Sequence, residues 1–335
     1  MKIRSRYFTF LAFSWLGAFS TDAGAQLTKV TTSYVSDSAG VLPLWLAKEA
    51  GIFARNGLDV QAVRVHAAVG VMALTSGELQ FVLASGPVVV DSALRGSNAV
   101  YVAGGMSTLD FVLVTRPEIK TSEQLKGGTV GLSAFRGANP TATRFALQKL
   151  GLGPKDVSLI VVGGTSERIA SLRLGKIQGT LFSPPQNITA QREGFNPLAD
   201  VAELGLPFVH IGVATTRTFI RDNLEIVRRY VKSHIEAIAA MKTDREMAIK
   251  TLAKYLGQIK DRDVLIKSYE AAAPDNRISR KQYPYLAGLQ MALDLLAEEN
   301  PKAKSAKPED FVDSRFIKEL DDSGYIDNLY KAKPR

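Results

Sequence analysis

The chain has 335 residues, 46% of them hydrophobic, a formal charge of +9 and no cysteine. The lack of thiols excludes a disulfide framework, a thiolate metal centre and a cysteine nucleophile. The positive excess forms no basic stripe interleaved with aromatics, and part of it is spread over Lys302, Lys304, Lys307, Lys331, Lys333 and Arg335, so nucleic acid is not an expected partner.

The first element reads as an export leader. Lys2, Arg4 and Arg6 precede a mostly apolar stretch from Tyr7 to Phe19, and Ala23-Gly24-Ala25 supplies the small-x-small pattern of a cleavage site. As a helix that stretch would rise only about 20 Å, short of a ~30 Å hydrocarbon core. The expectation is a signal peptide over residues 1–25, a mature start at Gln26 and a soluble periplasmic or secreted product. No cysteine follows the apolar stretch to carry a lipid anchor. Removing residues 1–25 takes away three basic residues and Asp22, which lowers +9 to +7. The remaining length of about 310 residues exceeds one typical domain, so two lobes are expected.

Strands and helices then alternate. VTTSYVS reads as a strand and Leu42 to Ala50 as a helix ended by Gly51; QAVRV is a strand and Val69 to Thr75 a helix; LQFVLAS is a strand and VVVDSALRG a helix; AVYVAG is a fourth strand. The pattern restarts after a short helix near Lys126. GTVGLSA, VSLIVVG and GTLFS read as strands, with helices over Thr141 to Leu150 and Glu167 to Leu174 between them, and another strand falls near LADVA. Such alternation means βαβ units and mostly parallel sheets.

The two series match each other. ALTSGELQFVLASGP, Ala73 to Pro87, aligns without a gap on SLRLGKIQGTLFSPP, Ser171 to Pro185. The offset is 98 positions, as for Gln80 and Gln178 (178 less 80), and both segments end in Ser-x-Pro. Two similar α/β lobes with a cleft between them is the economical reading. FVLVT and HIGVATT flank the second series and mark where the chain crosses between lobes. From Thr218 onward helices dominate, over Leu224 to Met241, Asp244 to Leu256, Asp261 to Tyr269, Tyr283 to Glu298 and Pro308 to Leu320, a tail expected to pack on the first lobe.

Several stretches are more specific. The segment from Ser36 to Val60, S-x-S-x-G-x-x-P-L-W-x-A-K-E-A-G-I-F-x-x-x-G-L-D-V, resembles the opening of nitrate/sulfonate/taurine-type substrate-binding proteins of ABC transporters. So do SGELQF, LKGGTVGLS from Leu125 to Ser133, ERIASLRLG, FVDxRFIKEL and GYIDxLY, an ordered set that covers essentially the whole mature chain. The resemblance implies the type II periplasmic-binding-protein fold: an α/β protein of two lobes, each a mostly parallel sheet flanked by helices, with the helical tail on lobe 1. It places lobe 1 at 26–110 and 214–335 and lobe 2 at 111–213. It also implies a small-molecule ligand in the interlobe cleft and permease and ATPase partners, and the chain is expected to be a monomer.

Ligands of open α/β sheets sit beyond the C-terminal ends of the strands, where helix N-termini offer free N–H groups and the positive end of a dipole. The candidates there are Ser36, Asp37, Ser38, His66, Ser85, Gly86, Ser133, Phe135, Arg136, Gly137, Gly164, Thr165, Phe182 and Ser183. Each also has a plainer reading. Ser36, Ser38 and Thr165 would serve as helix caps worth ~1 kcal/mol each. Arg136 is a solvated loop residue or an anion clamp. Asp37 is a cap or a partner for a ligand amine. Phe135 and Phe182 are core residues or cover for an apolar ligand body. Arg168 reads as structural, and Trp45 and Phe111 as core. No phosphate-binding loop or G-x-S-x-G elbow is present, and His66, His210 and His234 lie far apart, so no catalytic residue, metal or cofactor is expected. The expected ligand is a small organic anion such as a sulfonate or carboxylate. The same features suit a receptor that presents its ligand to a membrane sensor kinase, or a cleft enzyme related to the thiamine-pyrimidine synthases, whose cysteine-rich motif this chain lacks.

Overall fold

The computed structural model describes residues 26–153 and 155–331, so the expected leader lies outside the described residues. Ten strands form two five-stranded sheets. The first takes β1 (Thr28–Tyr34), β2 (Leu58–Arg64), β3 (Phe81–Ala84), β4 (Ala99–Met106) and β10 (Ile211–Thr216), in the order β2-β1-β3-β10-β4. The second takes β5 (Val112–Thr115), β6 (Thr129–Leu132), β7 (Ser158–Val161), β8 (Gly179–Phe182) and β9 (Asn196–Asp200), in the order β7-β6-β8-β5-β9. Within each sheet one strand runs against the rest: β10 in the first and β5 in the second. These are the strands the chain enters just after changing lobes, so the mostly parallel expectation holds and its exception has a cause. A strand that arrives from the other lobe need not follow a right-handed βαβ crossover.

The repeat is a structural one. Gln80 accepts from the Thr31 backbone N–H at 2.8 Å, and Gln178 accepts from the Thr129 N–H at 2.8 Å. In each lobe this side chain, on the residue just before β3 or β8, ties the entry to that strand to the lobe's first strand, at positions 98 apart in both members (129 less 31, 178 less 80). The edge-to-centre order β2-β1-β3 is likewise repeated as β7-β6-β8.

The chain crosses between sheets over Ser107–Phe111 and returns over Leu206–His210, immediately before FVLVT and HIGVATT extend as β5 and β10. The crossings touch: Phe208 N–H donates to Ser107 O at 3.2 Å and His210 N–H to Met106 O at 3.0 Å. His210 Nδ1 also stands 3.0 Å from Asp110 Oδ1, without the alignment of a hydrogen bond.

The tail packs largely as expected. Tyr230, Val231, Ile235, Ile238 and Met241 of the helix Leu224–Thr243 share one core with Trp45, Phe53 and Phe81 of lobe 1. The Tyr230 ring stacks on Phe81 at 3.8 Å between centroids, and its hydroxyl donates to Thr32 Oγ1 at 3.1 Å. Each such buried side chain contributes ~1.5–3 kcal/mol. The helix Leu286–Leu296 departs from expectation. It presents Leu289, Ala292 and Leu293 to lobe 1, but Met291 and Leu295 to the core of the second sheet. It can do so because Gly288 lies against the returning crossing, where a Cβ would meet Val209 N at 2.7 Å. The expected helix over Pro308 to Leu320 is broken into a turn at Pro308–Phe311 and a helix Arg315–Asp322.

Candidate functional site

The loops after β1 and β3 of the first sheet meet the loops after β8 and β6 of the second. Ala39 N–H donates to Pro184 O at 3.1 Å, and Gln186 Nε2 donates to Asp37 O at 3.0 Å. On the other side Gly137 faces Ser85 and Val88; a Cβ at Gly137 would lie 3.9 Å from Ser85 Oγ and 3.7 Å from Val88 Cγ2. These two contacts follow the repeat approximately: Ala39 and Gly137 are 98 apart, and Pro184 lies 98 after Gly86, the neighbour of the Ser85 that Gly137 faces, so the two pairs of loops are related by a rough pseudo-symmetry.

The serines at these ends are poorly explained as caps. Ser38 precedes a 3-10 turn and Ser85 precedes the helix Gly86–Leu94, yet neither side chain accepts a capping hydrogen bond. Ser38, Ser85 and Ser183 are only 3%, 5% and 8% exposed. Buried hydroxyls free of capping duty, on facing loops, are suited to a small polar ligand between them. Ser36, Ser133, Gly164 and Thr165 are half-buried, and Gly86 is buried. Gly164 occupies the N-cap position of the helix Thr165–Arg173, so Thr165 is its first residue rather than its cap. His66 is exposed at the start of the helix Ala67–Ser76, behind the edge strand β2.

Four candidates are placed away from their ligand-facing reading. Asp37 is paired with Arg64, whose guanidinium lies on its carboxylate. Its charge is thereby neutralised within lobe 1 and does not stand open as a partner for an amine. Arg136 pairs across the lobes with Asp91 at 2.9 Å and with Glu299. It belongs to a belt in which lobe 2 supplies arginines and lobe 1 carboxylates: Arg144 with Glu298 at 2.8 Å, and Arg192 with Asp261 and Asp263. Such pairs, mostly exposed, contribute ~0.2–1 kcal/mol each, too little to define a ligand site by themselves. Phe182, 1% exposed, fills the core with Val112, Val114 and Leu172, while Phe135, 79% exposed, stands in solvent. Neither covers a ligand body in this arrangement.

Two further residues organise the lobe-2 floor. Asn139, buried, accepts from Ser133 N–H at 2.9 Å and donates to Leu181 O at 3.2 Å, so it holds the Ser133 loop to β8. Arg168, 5% exposed, lies over the Phe182 ring at 5.1 Å and reaches Thr165 at the cleft. Burial pushes its pKa down to about 10, which leaves it charged at neutral pH. The signal for Asn139 was the Asn-Pro at the start of a helix; Arg168 carried none beyond its place one turn into a helix.

Among solved structures the fold is shared with the alkanesulfonate-binding protein SsuA of Xanthomonas axonopodis pv. citri bound to MOPS, at TM-score 0.70 and 18% identity over 87% of this chain and 99% of that one. It is shared with the periplasmic nitrate-binding protein NrtA of Synechocystis, at TM-score 0.72 and 13% identity over 92% of each chain. It is also shared with the ligand-binding component of an ABC-type import system from Staphylococcus aureus, at TM-score 0.69 and 18% identity over 87% and 98%. The fold expected from the resemblance is thus the one observed. No curated protein matches the chain in sequence. The family profile described as NMT1/THI5 like matches residues 38–248, well over half of the chain, and the chain therefore belongs to the NMT1/THI5-like family.

Proposed function

We propose that the chain is the solute-binding component of an ABC importer, which captures a small organic anion by closing its two lobes, 26–110 with 214–335 and 111–213, and presents it to permease and ATPase subunits. The observation that supports this reading is the pair of facing loops, Asp37 and Ala39 against Pro184 and Gln186, and Ser85 and Val88 against Gly137, which carry the buried serines Ser38, Ser85 and Ser183. The names of the similar structures support it, since they are called alkanesulfonate-binding and nitrate-binding. No helix among the described residues is long and apolar enough to cross a membrane, which accords with an exported protein freed of its leader.

A thermal-shift screen tests the ligand class, over sulfonates, carboxylates, inorganic oxyanions, amines and thiamine-precursor pyrimidines. Ligand at a hundredfold excess over Kd stabilises by about 2.7 kcal/mol, a few degrees in Tm for a chain of this length. Stabilisation by sulfonates or carboxylates is the expected result, and stabilisation by cationic compounds alone would overturn it. Chemical conversion of the stabilising compound, followed by mass spectrometry, would replace the transport reading with that of a cleft enzyme.

A further inference from the structure

We infer that Arg168 is the fixed positive charge of the cleft, that Thr165 conveys it to the ligand, and that the anionic head group is therefore bound by lobe 2. This rests on the anion-binding reading above and adds the residues that carry it. A guanidinium has five N–H donors. In Arg168 they meet uncharged acceptors: Gly163 O at 3.2 Å from Nε, Thr180 Oγ1 at 3.2 Å and Leu181 O from Nη1, and Thr165 Oγ1 at 3.4 Å from Nη2. One N–H of Nη2, the nitrogen beside Thr165, is left over. A buried charge held only by neutral groups is costly unless an opposite charge comes near it. The carboxylate that acts on it through space is that of Glu167, which is exposed at the helix start, with Oε2 2.7 Å from where a Cβ of Gly164 would stand.

The repeat shows that the fold does not require this arginine. Ninety-eight positions earlier, Thr165, Arg168 and Thr180 become Ala67, Gly70 and Val82. The lobe-1 joint between helix and strand is made by direct packing, with Gly70 so close that a Cβ would meet Ser33 Oγ at 2.7 Å. The same joint is polar and charged only in lobe 2. Because Thr165 Oγ1 accepts from Arg168, its own hydroxyl proton is free to donate outward, from the first turn of a helix whose dipole adds to the field. Arg168 is thus a positioning residue, and Thr165 is the group that would touch the ligand.

The test uses titration calorimetry on the mature protein with pairs of an anion and its neutral amide: butanesulfonate with butanesulfonamide, and pentanoate with pentanamide. Wild type should prefer the anion of at least one pair by tenfold or more. Arg168→Met and Thr165→Val should shrink that preference by at least fivefold, Arg168→Lys should retain most of it, and Glu167→Gln should raise anion affinity a few-fold. A fall in Tm with the preference unchanged in Arg168→Met would reduce Arg168 to a structural brace and overturn the inference alone. If Arg168→Met does not fold, Thr165→Val and Glu167→Gln decide, and unchanged preference in both overturns it. A wild type that favours neither anion would overturn the anion reading together with this one.

Discussion

Acidification from pH 6.5 to pH 4 should cost the fold about 3 kcal/mol through His234 alone. His234 is buried in the helix Leu224–Thr243, with Nε2 3.1 Å from Gly104 O. Burial lowers its pKa to about 4, against partial opposition from the Gln282 side chain and the Gly104 carbonyl. An unfolded chain takes up the proton near pH 6.5, while the folded chain resists until about pH 4. Between those values the unfolded state binds more protons, so stability is complete above pH 6.5 and falls as the pH drops toward 4. Each unit is worth 1.36 kcal/mol, which sets the magnitude. Gly104 lies two residues before the end of β4, so the loss falls beside the first crossing between the sheets. Denaturant unfolding of wild type and His234→Gln at pH 7 and pH 4.5 would measure it. The stability gap between the two proteins should shift by roughly 2–3 kcal/mol in favour of the variant at acid pH. Parallel losses would assign acid sensitivity to the surface carboxylates instead.

The largest effect on binding is expected at Gly137. Its φ of +118° lies in a region that β-branched residues essentially never adopt. A Cβ there would fit between Ser85 and Val88 at ordinary contact distance, but the two γ-methyls of valine would enter lobe 1. Gly137→Val should therefore hold the lobes apart and raise Kd by about a hundredfold or more, or about 2.8 kcal/mol and upward. Strain alone is controlled by Gly96→Val. Gly96 has φ +107° and no atom within 4 Å of where a Cβ would stand, on the far side of the helix Gly86–Leu94 from Ser85. That variant should lose stability of similar size, ~1–3 kcal/mol, with affinity unchanged. Equal affinity in wild type and Gly137→Val would remove the Ser85–Gly137 contact from the closure.

Much of this architecture is legible in the residues because strands and helices leave periodic traces. The alternation of β-branched runs with Gly-ended helices places the strands within a few residues, and the offset between Gln80 and Gln178 identifies two side chains with the same hydrogen bond in both lobes. The site is less legible, since side-chain direction depends on neighbours remote in sequence. Asp37 and Arg64 meet because β1 and β2 pair in register. Arg136 meets Glu299 across more than half the described chain, and nothing local announces that pairing. Phe182 ends a strand, a place where either face is open to it, and the core under the helix Thr165–Arg173 takes it. Arg168 hides in an amphipathic pattern where an arginine usually faces water. Only comparison with Gly70 in the first lobe exposes it as a departure from the repeat.

Small-angle X-ray scattering of the mature protein, with and without a saturating concentration of the most stabilising anion, tests the central claim most directly. The two facing loop pairs, the touching crossings and the belt of lobe-2 arginines on lobe-1 carboxylates predict a smaller radius of gyration in the bound state. A radius of gyration unchanged at saturation, with binding confirmed by calorimetry on the same sample, would contradict capture by closure of the lobes.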